Sequence, residues 1–320
     1  MRIFLTGAAG FIGSHLAKEQ IDHGETVVGF DDFNDFYDPA IKRRNAREFT
    51  ERDVPLVEGD LRNAADVERA LGDGCDVVVH LAARAGVRPS LEQPGLYADT
   101  NVRGTINVLE AMRKRGLKKI VFASSSSVYG GQNKVPFSED DPINRPWSPY
   151  AATKRAGELL LQTYHHLYGI ESHALRFFTV FGPGQRPDLA IMKFIQLIDA
   201  GKEIPFYGDG KSGRDYTYVD DIVQGVLASI DRVSDCEIIN IGGDHPVTLT
   251  EMVEAIERAL GKRAKLKHLP DQPGDVPRTM ADISKARRML GYAPKTSFAE
   301  GVAKQVAWWR SLGTAMINGQ

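Results

Sequence analysis

The chain has 320 residues, 42% of them hydrophobic, enough to bury one large α/β core or two intimate ones. Its formal net charge of -2 gives no support to nucleic acid or a membrane surface as the main partner, and two cysteines, Cys75 and Cys236, argue against a disulfide framework. No stretch approaches the roughly 20 apolar residues a membrane helix requires, and the run after Met1-Arg2 is too short for a signal sequence, so a soluble cytoplasmic protein is expected.

The first predicted element is the strand Arg2–Thr6, followed at once by Gly7-Ala8-Ala9-Gly10-Phe11-Ile12-Gly13 and a helical pattern over Ile12–His23. In this GxxGxxG spacing Gly7 permits the tight turn, Gly10 lets the main chain approach a pyrophosphate, and Gly13 lets the helix pack on the strand. With Phe11 and Ile12 these residues open a helix whose N-terminus offers unpaired N–H groups and partial positive charge to phosphates. The second strand, Thr26–Phe30, runs into Asp31. A carboxylate there accepts hydrogen bonds from the adenosine ribose hydroxyls and repels a 2′-phosphate, which favours NAD over NADP. Further strands are expected at Pro55–Glu58, Asp76–His80, Lys119–Ala123 and Ser172–Arg176, with a helical pattern over Asn101–Lys114. Such alternation predicts a doubly wound parallel α/β sheet of the Rossmann type. Asp60-Leu61 follows the third strand and Leu81-Ala82-Ala83 the fourth, at the carboxyl ends where these sheets bind ligands.

The fifth strand ends in Ser124-Ser125-Ser126-Ser127, hydroxyls well placed to hydrogen-bond a sugar. Ser148-Pro149-Tyr150-Ala151-Ala152-Thr153-Lys154 then begins a helix, with Ser148 as N-cap and Pro149 at the first helical position. Tyr150 and Lys154 stand four apart and share a helix face. A tyrosine with a pKa of about 10 is a poor base at neutral pH. A nearby ammonium and a nicotinamide cation would favour the phenolate, which could remove a hydroxyl proton while hydride leaves the same carbon. After Phe177 the chain is punctuated by glycine and proline, and a smaller α/β unit is expected there. The division reads as a cofactor domain of 1–177 with a strand returning near 216–243, and a substrate domain of 178–215 and 244–320. The eight histidines show no metal-ligand spacing, and Trp308-Trp309 is expected to pack a terminal helix against the body.

The set Gly7/Gly10/Gly13, Asp31, Asp60, His80-Leu81-Ala82-Ala83, Asn101, Ser125, Tyr150/Lys154, Gly213-Arg214-Asp215-Tyr216 and Pro273-Gly274-Asp275 spans essentially the whole chain. It resembles the extended short-chain dehydrogenase/reductase family, in its sugar-nucleotide epimerase/dehydratase branch. The resemblance implies a tightly bound NAD, a Ser/Thr–Tyr–Lys triad and a nucleoside-diphosphate sugar between the two units. It makes Ser125 the triad hydroxyl, Tyr150 the base, and Lys154 the group that tunes Tyr150 and holds the nicotinamide ribose. It sets Asn101, Ser124 and Phe177 against the cofactor, with Arg214 on the diphosphate and Asp275 at the substrate. It also implies a homodimer through a four-helix bundle, for which Asn101–Lys114 and Tyr150–Tyr168 are the candidate helices.

Dehydratases of this branch carry an Asp-Glu pair after the triad threonine. Ser126-Ser127 stands there in this chain, which disfavours dehydration and leaves C4 epimerisation through a transient 4-keto sugar. Asp35-Phe36-Tyr37-Asp38-Pro39, Ala85-Gly86-Val87-Arg88, Gly184-Gln185-Arg186-Pro187-Asp188 and Gln272-Pro273-Gly274-Asp275-Val276-Pro277 are similar to segments of bacterial enzymes acting at C4 of UDP-glucuronate. Oxidising a uronic acid at C4 creates a β-keto acid that readily loses CO₂, so the carboxylate must be held. Ser126, Ser127 and Thr179 could supply neutral hydrogen bonds and Arg186 a charge. Arg186 and Arg88 suit a phosphate equally well. Tyr207, or alternatively Phe206, is a candidate to stack on uracil. The rival readings are a UDP-glucose/galactose or N-acetylhexosamine 4-epimerase, a UDP-glucuronate decarboxylase and a non-catalytic nucleotide sensor.

Overall fold

Apolar residues alternate between two faces along the buried strands. Ile3 and Leu5 pack into one cluster and Phe4 into another; Val77 and Val79 oppose Val78, and Val121 and Ala123 oppose Ile120 and Phe122. A sheet apolar on both faces must be covered on both, which is the condition for parallel strands with crossover helices. The computed structural model describes residues 1–132, 134–270 and 278–317. Its main sheet contains β1 (Arg2–Thr6), β2 (Thr26–Asp31), β3 (Leu56–Glu58), β4 (Val77–His80), β5 (Lys119–Ser125) and β6 (Glu171–Phe177).

One face carries the helices Phe11–Asp22 and Val219–Arg232, through Leu16, Ala17, Ile222, Val223 and Val226. The other carries Ala64–Leu71, Gly104–Lys114 and Pro149–Tyr168, through Val67, Leu71, Val108, Met112 and Leu161. Fully burying such a side chain stabilises by about 1.5–3 kcal/mol each.

Four short strands follow: β7 (Thr179–Phe181), β8 (Glu203–Tyr207), β9 (Gly213–Tyr218) and then β10 (Cys236–Ile241). The last pairs parallel with β6 and completes a seven-stranded sheet of order β10-β6-β5-β4-β1-β2-β3, every pairing parallel. The chain crosses from β3 at one edge to β4 beside β1, and this reversal opens a crevice at the strands' carboxyl ends. β7 and β9 form a small sheet with β11 (Pro246–Thr248), and β8 pairs with β12 (Lys265–Leu269). The terminal helix Phe298–Ile317 packs Trp308 and Trp309 against the larger core cluster, and the Trp309 indole donates to Asp199 Oδ2 at 3.0 Å.

Candidate active site

The carboxyl ends of β1–β6 and the loops beyond β6 enclose a cavity of about 570 Å³. Gly7, Gly10, Phe11, Ile12, Gly13, Asp31, Asp60, Leu61, Leu81, Ala82 and Ala83 line one end of it. Gly7 adopts φ +72°, and a Cβ there would stand 2.8 Å from the Ala82 nitrogen. A Cβ on Gly13 would overlap the Gly7 carbonyl oxygen. This cradle, closed to side chains and opening onto the N-terminus of Phe11–Asp22, fits the pyrophosphate of a dinucleotide.

Asp31 is buried, and its carboxylate accepts from Ala9 N–H at 3.1 Å, Phe33 N–H at 3.0 Å and Lys42 Nζ at 2.9 Å. Lys42 also reaches Asp32 at 3.2 Å, so this corner holds two carboxylates against one ammonium. Nothing in the spacing of the sequence announces Lys42. Asp60 faces the cavity and is gripped by Arg62, which donates from Nε at 2.8 Å and holds the carboxyl below its usual range.

Ser125 ends β5 and caps the short helical turn Ser126–Tyr129, accepting from Ser127 N–H at 3.2 Å. Ser148 caps the helix Pro149–Tyr168, accepting from Ala151 N–H at 3.1 Å with Pro149 in the first turn. These two caps bring Ser125 and Tyr150 together. Burial pushes the Tyr150 phenol up, while a hydrogen bond with Ser125 and the Arg186 charge act in the opposite sense. Lys154 turns toward the end of β5. Its ammonium donates to the Ala123 carbonyl at 2.7 Å, lies 5.0 Å from the Phe122 ring centre, and is driven down to about 7 by desolvation. The Arg186 charge also acts on Tyr150, in the sense that favours the phenolate.

Ser124, Ser126, Ser127, Phe177, Thr179, Arg88, Arg186 and Arg214 also line the cavity. The Ser127 hydroxyl is buried with no hydrogen-bond partner, an orphan polar group that a ligand oxygen would satisfy. Ser124 is at the lining, but its hydroxyl is committed to Glu158 Oε1 at 2.6 Å. Glu158 in turn takes a forked pair from Arg176, at 2.9 and 3.0 Å. Sequence reasoning missed Glu158, although it continues the Tyr150–Lys154 spacing by one more turn.

Asn101 is buried outside the cavity lining; its side chain accepts from Arg84 N–H at 2.8 Å and donates to Arg84 O and Thr153 Oγ1, both at 3.0 Å. It staples the loop after β4 to the helix bearing Tyr150. The expected continuous helix starts instead with a widened π-helical turn, Ala98–Arg103, which carries Asn101. Tyr207 and Phe206 are likewise absent from the lining: β8 alternates, so Phe206 turns into the core against His268, and Tyr207 sits half-buried at the strand end. Asp275 lies outside the described residues. Among the described residues no His/Cys/Asp/Glu cluster could hold a metal ion, and no helix is long and apolar enough to cross a membrane.

Fold and cavity together define a dinucleotide-binding α/β protein with a serine–tyrosine–lysine constellation. The chain belongs to the family described as GDP-mannose 4,6 dehydratase, whose model matches residues 4–305. It is 44% identical over 307 residues to a UDP-glucuronate 4-epimerase of Thermodesulfobacterium geofontis, covering 95% of this chain and 94% of that one. Among solved structures, UDP-glucuronic acid 4-epimerase from Bacillus cereus in complex with UDP-glucuronic acid and NAD superimposes with a TM-score of 0.91 at 36% identity, covering 98% of this chain and all of that one, 100%. A Thermus thermophilus UDP-glucose 4-epimerase complex with NAD gives 0.87 at 33% identity, covering 97% and 99%.

Proposed function

We propose that this chain is an NAD-dependent UDP-sugar 4-epimerase that interconverts UDP-glucuronate and UDP-galacturonate. The observation that carries the reading is the sugar end of the cavity. There Ser126, Ser127 with its orphan hydroxyl, Thr179 and Arg186, whose charge reaches Tyr150, line the cavity that Tyr150 also lines. The carboxylates that line the cavity among the described residues, Asp31, Asp32 and Asp60, all follow β2 and β3 at the far end. Among the described residues, then, the lining acids stand away from a 6-hydroxyl, which supports epimerisation over the dehydration in the family's description. The relatives named above support the same substrate.

NAD, when bound, supplies the hydride acceptor and donor at C4. The protein's own groups do the rest. Ser125 and Tyr150 hold the C4 hydroxyl, and Tyr150 takes its proton as C4 is oxidised and returns it after the 4-keto sugar has presented its other face. Lys154, buried at the end of β5, presents its amine as a hydrogen-bond donor within reach of the nicotinamide ribose. Arg186 and the three hydroxyls hold the carboxylate, which keeps the C5–C6 bond poorly aligned for loss of CO₂. Arg214 and Arg88 serve the diphosphate. The reading goes with a cofactor domain of 1–177 plus the strand returning near 216–243, a substrate domain of 178–215 and 244–320, and a homodimer through a four-helix bundle. Leu159 and Leu167, eight residues apart and so near one face of the helix Pro149–Tyr168, are exposed and suit a bundle face.

The test is NMR of the products formed from UDP-glucuronate and from UDP-glucose. UDP-galacturonate from the first is expected. UDP-xylose, or turnover of UDP-glucose alone, would overturn the reading.

A further inference from the structure

The segment Asp35–Pro39 has no task in the mechanism above. It follows β2, on the cofactor side, yet reaches the opposite wall. Its approach is fixed by three successive side chain to main chain bonds. Asp31 Oδ1 accepts from Phe33 N–H at 3.0 Å, Asp32 Oδ1 from Asn34 N–H at 3.1 Å, and Asn34 Oδ1 from Phe36 N–H at 3.1 Å. The Phe36 ring so presented has the Arg186 guanidinium 4.9 Å from its centre and the Arg84 guanidinium at 5.5 Å, and all three residues line the cavity. Arg186 also gives Nε and Nη2 to Asp188 in a forked pair, at 2.9 and 2.7 Å, which leaves Nη1 outside that pair. Its side chain is only 14% exposed.

A guanidinium free to turn would search many rotamers before meeting an anion. Asp188 fixes two of its N–H groups, and an aromatic ring beneath a desolvated cation fixes its plane. We propose that Phe36 is a specificity-determining positioning residue, whose ring holds the Arg186 guanidinium at the sugar end of the cavity and so favours a substrate that carries a carboxylate there. The proposal rests on the reading of Arg186 as the partner of a uronic acid. A neutral C6 hydroxymethyl gains little from a preorganised cation, whereas a carboxylate forms a charge-assisted bond with it.

The experiment is calorimetric titration of NAD-loaded protein, in a Tyr150→Phe background that prevents turnover, with UDP-glucuronate and with UDP-glucose. Phe36→Leu should weaken UDP-glucuronate about tenfold and UDP-glucose about twofold, the scale of one partly desolvated cation–π contact. Phe36→Tyr keeps the ring and should restore the preference. Equal losses for both sugars, no loss at all, or failure of Phe36→Tyr to restore it would overturn the proposal. The tyrosine variant also guards against a leucine variant that simply folds poorly. Wild-type protein that makes UDP-galacturonate while Phe36→Leu binds normally would sink the clamp alone. Wild-type protein indifferent to UDP-glucuronate would sink the functional reading and the clamp with it.

Discussion

The wall of the cavity that follows β1–β4 is built around a main-chain cradle at Gly7–Gly13, whereas the wall beyond β5 and β6 is made of side chains that must find one another across separate loops. At the first, Gly7 and Gly13 leave no room for a Cβ, and Ala82 and Ala83 keep the opposite strand end equally bare. At the second, Ser125, Ser127, Tyr150, Arg186 and Phe36 come from four segments and are aligned by caps, ion pairs and ring contacts. A main-chain cradle accepts any dinucleotide pyrophosphate of the right shape, and the choice at that end falls to Asp31, which favours ribose hydroxyls over a 2′-phosphate. A surface of side chains can discriminate between sugars, and it can be changed one residue at a time.

The largest expected effect lies at the seam between the walls. Tyr150→Phe should lower turnover by about 10²–10⁴, the range for loss of a positioned proton-transfer group, while NAD stays bound. Turnover by product NMR and NAD content after denaturation check the two halves separately. Near-normal turnover would take the proton-transfer role away from Tyr150, and loss of NAD would mean the two walls are not independent.

Next comes the buried support behind the side-chain wall. Burial pushes the Glu158 carboxyl up, but Arg176, Ser124 and Arg155 more than offset this and hold it below the ordinary carboxylate range. Glu158→Gln would leave Arg176 buried without its countercharge, and stability should fall by about 3–5 kcal/mol in urea unfolding. The sign of the pH effect follows from the lowered value. Stability from this pairing is present above the ordinary carboxylate pKa of about 4.3 and is lost as pH falls through the lowered one. The variant should lack that part of the acid slope. An unchanged slope and midpoint would show that the network carries no net stability.

The same contrast decides what could be read from the sequence. The parallel sheet, the glycine turn and Asp31 were legible because each leaves a local signature: strand alternation, a fixed glycine spacing, a carboxylate at a strand end. Ser125, Tyr150 and Lys154 were legible as residues, but the direction of the Lys154 ammonium was not. The Ala123 carbonyl that receives it belongs to another strand. Asn101 was legible as a motif residue, but its contacts were not, because a π-helical turn places its amide against Arg84 and Thr153. Lys42 and Phe36 left no signal of their roles, since pairing with Asp31 and with Arg186 exists only after β2, its loop and the segment beyond β6 have met.

A smaller effect is expected from Arg186→Ala. One charge-assisted bond to a carboxylate is worth about 1.5–3 kcal/mol, so binding of UDP-glucuronate should weaken roughly tenfold to a hundredfold. UDP-glucose should lose much less. Equal losses in parallel titrations would move Arg186 to the diphosphate and leave the carboxylate to the three hydroxyls.

The smallest effect tests whether, beyond Asp31, the cofactor wall is as indifferent to side chains as its main-chain cradle implies. Arg62 grips Asp60 with a fork, yet its own side chain is 43% exposed, and an ion pair in that setting contributes at most about 1 kcal/mol. Arg62→Met should therefore change NAD affinity by less than about fivefold, with the loss shrinking further in high salt. A loss well above tenfold would mean that the orientation of Asp60 is itself a recognition element. The wall after β1–β4 would then discriminate through side chains as the other wall does, and the contrast between them would have to be redrawn around Asp31, Lys42 and Asp60.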